Sequence, residues 1–365
     1  MKRYPIKVTS SFLMRQAAEG TPELTDDLVA ATALAGFDPS FNIVLEAENT
    51  EYVGDDLLID GQTTITDKTI EFSRGIFLPR IGVVGTGIAP DDTQMPWEHL
   101  FTSAGAAITY TGTGATSQVK AANNAVSNDL LTGMVGSISP DAPTVQKNYK
   151  FFNARATIDL EIEIKRRATL KFNIKGLPVD ALPVPEAFPF MDDKLVPDYG
   201  TQKQLIMPPL FDYSLKQFEL VKHGTKAYNT GTTDLPTPFA GTVKSMCFQK
   251  ISAVNLYGFM LERFQNSCSS GFDKQKIIAD VVITVLEDNV AATWQPDSVN
   301  YSAISGAMQE QDFALGMYWG ASAGFKVYLA WDKLQLADVK GVEVGPYKGK
   351  ELTFKNNGQF ALIWA

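Results

Sequence analysis

The sequence predicts a mainly β protein arranged as two tandem domains. Three observations carry that expectation. Apolar and polar residues alternate with a period of two in several stretches, and Gly, Thr, Ser and Asn, the residues of strands joined by turns, are plentiful. One order of elements, strand, loop, strand, helix, strands, recurs in the second half. The chain of 365 residues also exceeds the ~250–300 residues beyond which one core usually gives way to separate domains.

Taken in order, Phe41 to Asn49 and Lys68 to Leu78 read as strands around a polar hairpin loop, Thr50 to Asp67, which holds Gly54, Asp55, Asp56 and Gly61. Pro96 stands at a first helical position, with Trp97, Leu100, Phe101 and Ala104 on one face and Gly105 as the stop, so a short helix packs on the sheet. From Ala106 to Val145 a strand at Ala107 to Tyr110 is followed by an excursion loop of Thr, Gly, Ser, Asn and Ala. The clearest signal comes next. Ile158, Leu160, Ile162 and Ile164 alternate with Thr157, Asp159, Glu161 and Glu163, and after Lys165-Arg166-Arg167 the pattern resumes with Leu170, Phe172 and Ile174 against Thr169, Lys171, Asn173 and Lys175. This is an antiparallel hairpin whose outer face is acidic on one strand and basic on the other, with opposite charges expected across the ladder.

Seven prolines between Leu177 and Leu210, with no periodicity, compose an extended connector. The expected domains are therefore residues 1–177 and 211–365, with 178–210 between them. In the second, strands are expected at Lys250 to Arg263 and Lys276 to Leu286 around a polar loop at Gln265 to Gly271. A helix follows Pro296, ending before Gly306, and Gly324 to Trp331, Leu336 to Val344 and Lys350 to Phe354 close the domain. A repeat this long points to domain duplication rather than to a solenoid.

The net charge is −9, with acids concentrated between Glu19 and Asp60, a poor surface for gripping a phosphate backbone. It serves solubility, or a wall that repels DNA so that DNA slides past it. Cys247 and Cys268 are too few for a disulfide framework and lack metal-ligand spacing, so both read as packing residues. No export signal opens the chain, and Ile277 to Leu286, the most apolar stretch, is interrupted by Asp280 and far too short to span a membrane.

Catalytic chemistry finds little to work with. The two histidines, His99 on the predicted helix and His223 in a polar turn, have no partner at motif spacing, and no H-E-x-x-H sequence occurs. Gly320-Ala321-Ser322-Ala323-Gly324 spells a nucleophile elbow, but an alternating strand follows instead of a helix, and no histidine lies downstream of Ser322. Gly85-Thr86-Gly87 has Pro90 where a dinucleotide fingerprint needs glycine, and Gly112-Thr113-Gly114 has no lysine at Walker spacing. Asp159, Glu161 and Glu163 are explained by alternate strand positions, and Trp294, Trp319, Trp331 and Trp364 by core packing. No enzyme activity, metal site or cofactor is expected.

Several segments together resemble the tail tube (major tail) proteins of long-tailed bacteriophages. They are the opening arm Phe12-Leu13-Met14-Arg15-Gln16-Ala17-Ala18-Glu19-Gly20-Thr21-Pro22, the hairpin around Thr50 to Asp67, Glu71-Phe72-Ser73-Arg74-Gly75, the helix at Pro96, and the hairpin Thr157 to Gly176 running into Leu177-Pro178. The resemblance implies β-sandwich or half-barrel domains, each with a short flanking helix, whose subunits join sheets around a ring, and rings that stack into a tube. Single-domain members form hexameric rings, so two tandem domains imply a homotrimer with pseudo-sixfold symmetry. It implies a virion location after assembly in the host cytoplasm, and as partners other copies of the chain and the tape measure, terminator and baseplate or distal tail proteins. Genomic DNA passes without specific binding. Ring-stacking contacts are expected at Arg15, Glu19, Tyr52, Gly54, Asp55 and Asp56, and deleting Glu51 to Gly61 is expected to leave a folded chain that no longer polymerises. Asp159, Glu161 and Glu163 are candidates for the lumen face, although an external face fits the sequence equally. Other classes stay open: a sheath, adhesin or decoration protein, a carbohydrate-binding module resting on the tryptophans, or a hydrolase using Ser322.

Overall fold

The computed structural model of the protein describes residues 8–16, 18–20, 37–54, 57–78, 97–112, 118–123, 129–138, 147–164, 166–179, 215–222, 247–265, 270–286, 312–319 and 327–364. The fold is mainly β. In chain order the first half holds β1 (Val8–Arg15), β2 (Phe37–Gly54), β3 (Leu57–Phe77), the helix α1 (Glu98–Ser103), β4 (Ala106–Thr111), β5 (Gln118–Asn123), β6 (Leu131–Ile138), β7 (Lys147–Glu163) and β8 (Thr169–Pro178). The second half holds β9 (Leu215–Lys222), β10 (Cys247–Ala253), β11 (Phe259–Gln265), β12 (Ser270–Lys276), β13 (Ala279–Leu286), β14 (Asp312–Trp319), β15 (Val327–Val344), β16 (Tyr347–Asn356) and β17 (Phe360–Trp364).

All strands except the β11–β12 hairpin belong to one 15-stranded antiparallel sheet whose main path runs β2-β3-β8-β7-β10-β13-β16-β15-β17-β5-β4. The first eight strands of that path divide into two quartets of equal connectivity. In each, the spatial order is first, second, fourth, third: β2-β3-β8-β7, then β10-β13-β16-β15. The side ribbons correspond too, because β1 and β6 pair beside β7 as β9 and β14 pair beside β15. A four-residue ladder joins the quartets, with Leu160, Glu161, Ile162 and Glu163 of β7 opposite Ala253, Ser252, Ile251 and Lys250 of β10.

Alternation decides which face is buried. Ile70, Phe72 and Ile76 of β3, Ile158, Leu160 and Ile162 of β7, Leu170, Phe172 and Ile174 of β8, Val281, Ile283 and Val285 of β13, and Leu352 and Phe354 of β16 are all buried in one cluster that spans both quartets. The sheet then turns back over that face. After β16 the chain bends at residues 357–359, so β16 and β17 pair in succession with the two halves of β15, and β17 leads on to β5 and β4. Strands that change neighbours at a bend make the corner of a sandwich-like packing. Phe101 of α1 sits inside it, its ring edge-on to Phe172 at 5.7 Å, Trp364 at 6.0 Å and Tyr257 at 6.4 Å.

The α1 helix occupies the predicted place, Trp97 before it and Gly105 after it at φ +99°, a left-handed conformation natural to glycine. The second expected helix, at residues 296–306, lies outside the described residues, as does most of the 178–210 connector. Other expectations change. Thr50 to Asp67 is not a loop: β2 and β3 pair from Phe37↔Gly75 to Gly54↔Leu57 as one long hairpin, with register shifts at Phe37/Ser40, Glu46/Ala47 and Thr50/Tyr52. The expected excursion loop contains β5 and β6, and Lys250 to Arg263 is split into β10 and β11 by a turn carrying positive φ at Asn255 (+51°) and Gly258 (+74°).

That turn does structural work. Between the end of the β6 ladder at Ala154 and the start of the β10 ladder at Leu160, one side of β7 has no strand among the described residues. Buried backbone groups need partners. The Ser103 hydroxyl accepts from Ala156 N–H at 3.1 Å, and Leu256 N–H donates to the Ile158 carbonyl at 2.7 Å. Leu256 and Tyr257 are thereby driven into the core beneath α1.

Candidate functional site

Several titratable groups gather beside α1, where Arg15 pairs with Asp129 and Glu98, and the Tyr110 hydroxyl donates to Glu98 at 2.6 Å. His99 sits partly covered on α1, where burial and then the Arg15 cation lower its pKa from 6.5 to about 4, with Asp129 opposing. The imidazole is therefore neutral at pH 7. A depressed folded-state value means that the unfolded chain binds the proton more tightly between the two values, so the contribution to stability is complete above pH 6.5 and is lost as pH falls toward 4. We expect His99→Gln to flatten the fall in stability over that window by up to ~3 kcal/mol. Urea midpoints of both proteins at pH 7, 5.5 and 4.5 check it. His223 and the motif around Ser322 lie outside the described residues, but β15 follows that motif as a strand. Among the described residues, no group of three or more His, Cys, Asp or Glu could hold a metal ion, and no helix is long and apolar enough to cross a membrane.

The sheet face turned away from the core is more organised. Asp159, Glu161 and Glu163 share it, as their alternation with buried Ile158, Leu160 and Ile162 requires. The expected pairing within the β7–β8 hairpin is only partial. Asp159 stands opposite Lys171 in register and accepts hydrogen bonds from Asn173 Nδ2 (2.7 Å) and Asn255 N–H (2.9 Å). Glu161 takes Lys250 of β10 at 2.6 Å, and Lys175 takes Glu71 of β3 at 2.6 Å. Asp280 and Lys355 pair likewise across β13–β16 at 2.5 Å. These half-exposed pairs are each worth ~0–1 kcal/mol. Their consequence is electrostatic: the described part of this face alternates in sign rather than forming a uniform acidic wall.

The equivalences between quartets reach single residues. Glu71 and Lys175 hold the same places in β3 and β8 as Asp280 and Lys355 in β13 and β16, one position from the paired core residues Phe72–Ile174 and Val281–Phe354. The opposed Asp159 and Lys171 recur as Lys340 and Glu351 with signs exchanged.

The residues expected at ring-stacking contacts fall in two places. Arg15, at the end of β1, pairs with Asp129 at 2.8 Å, with Glu98 of α1 at 3.9 Å, and Glu19 is exposed just beyond it. Tyr52 and Gly54 are at the tip of the β2–β3 hairpin, and Asp55 and Asp56 lie outside the described residues. Both places are tied to the second half of the chain. Asn153, at φ +46° in a β7 bulge, accepts from Gln16 Nε2 (2.7 Å) and Gly20 N–H (2.9 Å) and donates to the Ser270 carbonyl of β12 (3.0 Å). Arg263 of β11 grips Asp67 of β3 with two hydrogen bonds, 2.7 and 2.8 Å, which holds the Asp67 carboxyl below its ordinary pKa. The arm and the hairpin base are thus fixed by side chains that no local pattern in the sequence connects.

Among the described residues several strands keep an open edge: β1, β4 and β9 have one neighbour each, β2 pairs with β3 alone, and β15 beyond Gln335 has β16 on one side and no strand on the other. The chain matches no protein-family model, and no curated protein matches it in sequence.

Proposed function

We propose that this chain is a structural subunit that closes into a ring of three copies and stacks into a tube, as the tail tube proteins of long-tailed phages do, with DNA passing through the lumen. The observation that carries this reading is the eight-strand run of two quartets with equal connectivity. Two sheet units of one design in a single chain, linked edge to edge by β7 and β10, form one-third of a sixfold arrangement and already contain a copy of the joint that would repeat around it. Tandem duplication, with domains at residues 1–177 and 211–365, accounts for the matched ion pairs Glu71–Lys175 and Asp280–Lys355.

The sign-balanced outer face suits a lumen wall that neither grips nor strongly repels a phosphate backbone, since net attraction would require an excess of Lys and Arg. Asp159, Glu161 and Glu163 then lie toward the lumen, and the long β2–β3 hairpin is the element that reaches the adjacent ring. The test is direct. The purified full chain is expected to form rings or tubes in negative-stain microscopy, with three chains per ring by native mass spectrometry. A strict monomer at assembly-competent concentration would sink the reading, and six chains per ring would remove its threefold part.

A further inference from the structure

The geometry points to a specific ring joint: the open edge of β15, from Leu336 to Val344, pairs antiparallel with the open edge of β2, from Phe37 to Leu45, in a second copy of this chain, in the register of the internal β7–β10 ladder. This rests on the ring reading and adds the surfaces and the register. β7 is the third strand of the first quartet and β10 the first strand of the second. Repeating that relation between molecules sets the third strand of the second quartet, β15, against the first strand of the next copy's first quartet, β2.

The register follows from the ladders. Phe41 pairs with Phe72 as Ala253 pairs with Val281, and Gly341 pairs with Lys350 as Leu160 pairs with Leu170. Because Leu160 faces Ala253 inside the chain, Gly341 faces Phe41 between chains, and Val342 faces Ser40 as Glu161 faces Ser252.

Three local features fit this partner. An edge as long as β2 is a ready template for another strand. Leu45 is 52% exposed, with Ile43 partly buried, on the core-facing side of β2; the transferred register brings them beside Val339 and Leu336, themselves only partly buried. Finally, Gly341 interrupts a strand without adopting positive φ, and a Cβ built there would meet nothing within 4 Å. A strand glycine often marks a close approach by another group. Here it leaves room beside Phe41, reproducing the small-against-large pair of Ala253 and Leu160 with the sides exchanged.

Facing positions in an antiparallel ladder have Cα atoms ~4.5–5.5 Å apart, within disulfide reach. The experiment introduces Ser40→Cys and Val342→Cys together into the full chain and oxidises the assembled protein, with each single variant as background. The pair Glu161→Cys and Ser252→Cys calibrates the chemistry, since it must close within one chain. The expected result is covalent dimers and trimers from the double variant on non-reducing gels, ending at the trimer, and less than one-tenth as much from either single variant. Rings in the microscope without these cross-links, while the internal pair closes, would overturn the joint and leave the ring reading intact. Monomers only, with the internal pair closed, would overturn both.

Discussion

Phe101→Ala is expected to destabilise the protein by ~3–5 kcal/mol, the cost of emptying a fully buried aromatic site, and to do so for both halves together. The ring is fully buried and touches Phe172 of the first quartet, Tyr257 from the turn after β10 and Trp364 at the end of β17. Emptying that position leaves a cavity bordered by both halves, so neither can absorb the loss alone. Denaturant unfolding followed by tryptophan fluorescence should show one cooperative transition, displaced as a whole to lower denaturant. The buried Trp97, Trp331 and Trp364 report from both halves. Separate transitions, with only one displaced, would mean that each quartet folds on its own core. The two quartets of equal connectivity and the joint core are compatible. A quartet supplies one apolar face, and the cover of the β7–β8 face, built from α1, Tyr257 and Trp364, is drawn from both ends of the sequence.

That dependence explains what could and could not be read from the sequence. The β7–β8 hairpin was legible because only one of its faces is buried, so Ile158, Leu160 and Ile162 stand out against Asp159, Glu161 and Glu163. β14 and β17 were missed for the opposite reason. Phe313 to Met317 and Phe360 to Trp364 are buried at every position, and a strand covered on both faces loses the period of two. β5 and β6 were hidden by their small polar residues, since what makes them strands is pairing with β4, β17, β1 and β7. At the turn between β10 and β11 the signal was present, in Asn255 and Gly258, but the apolar residues around it read more strongly as a continuing strand. For the candidate surfaces, the sequence placed Asp159, Glu161 and Glu163 on one face and chose their partners only in part, because Lys250 is 89 positions from Glu161 and no local spacing connects them. The clamp between Arg263 and Asp67, with a sequence separation of 196, was beyond such reasoning for the same reason.

On the proposed function the hairpin tip serves assembly and not folding, and the β2–β3 ladder sets how it should be shortened. Thr50 and Gln62 face each other in the β2–β3 ladder, so removing residues 51–61 outright would join two opposed strand residues with no turn between them. Replacing those residues by Asn-Gly supplies the two-residue type I′ turn that suits the twist of a hairpin. The shortened hairpin keeps the Glu46–Asp67 pair at its base and the Arg263 clamp on Asp67, and it leaves untouched Phe37 to Leu45, the part of β2 assigned to the ring joint. With those anchors kept, its unfolding midpoint should change little, within ~0.5 kcal/mol. On the proposed function, rings of three copies persist and tubes disappear, because the element lost reaches the neighbouring ring while the edges that close each ring remain. Sedimentation velocity separates these species by size, and microscopy identifies them. Tubes of normal length would exclude the hairpin tip from stacking. Loss of rings as well as tubes, from a chain that still unfolds at its usual midpoint, would instead assign the tip to contacts within the ring.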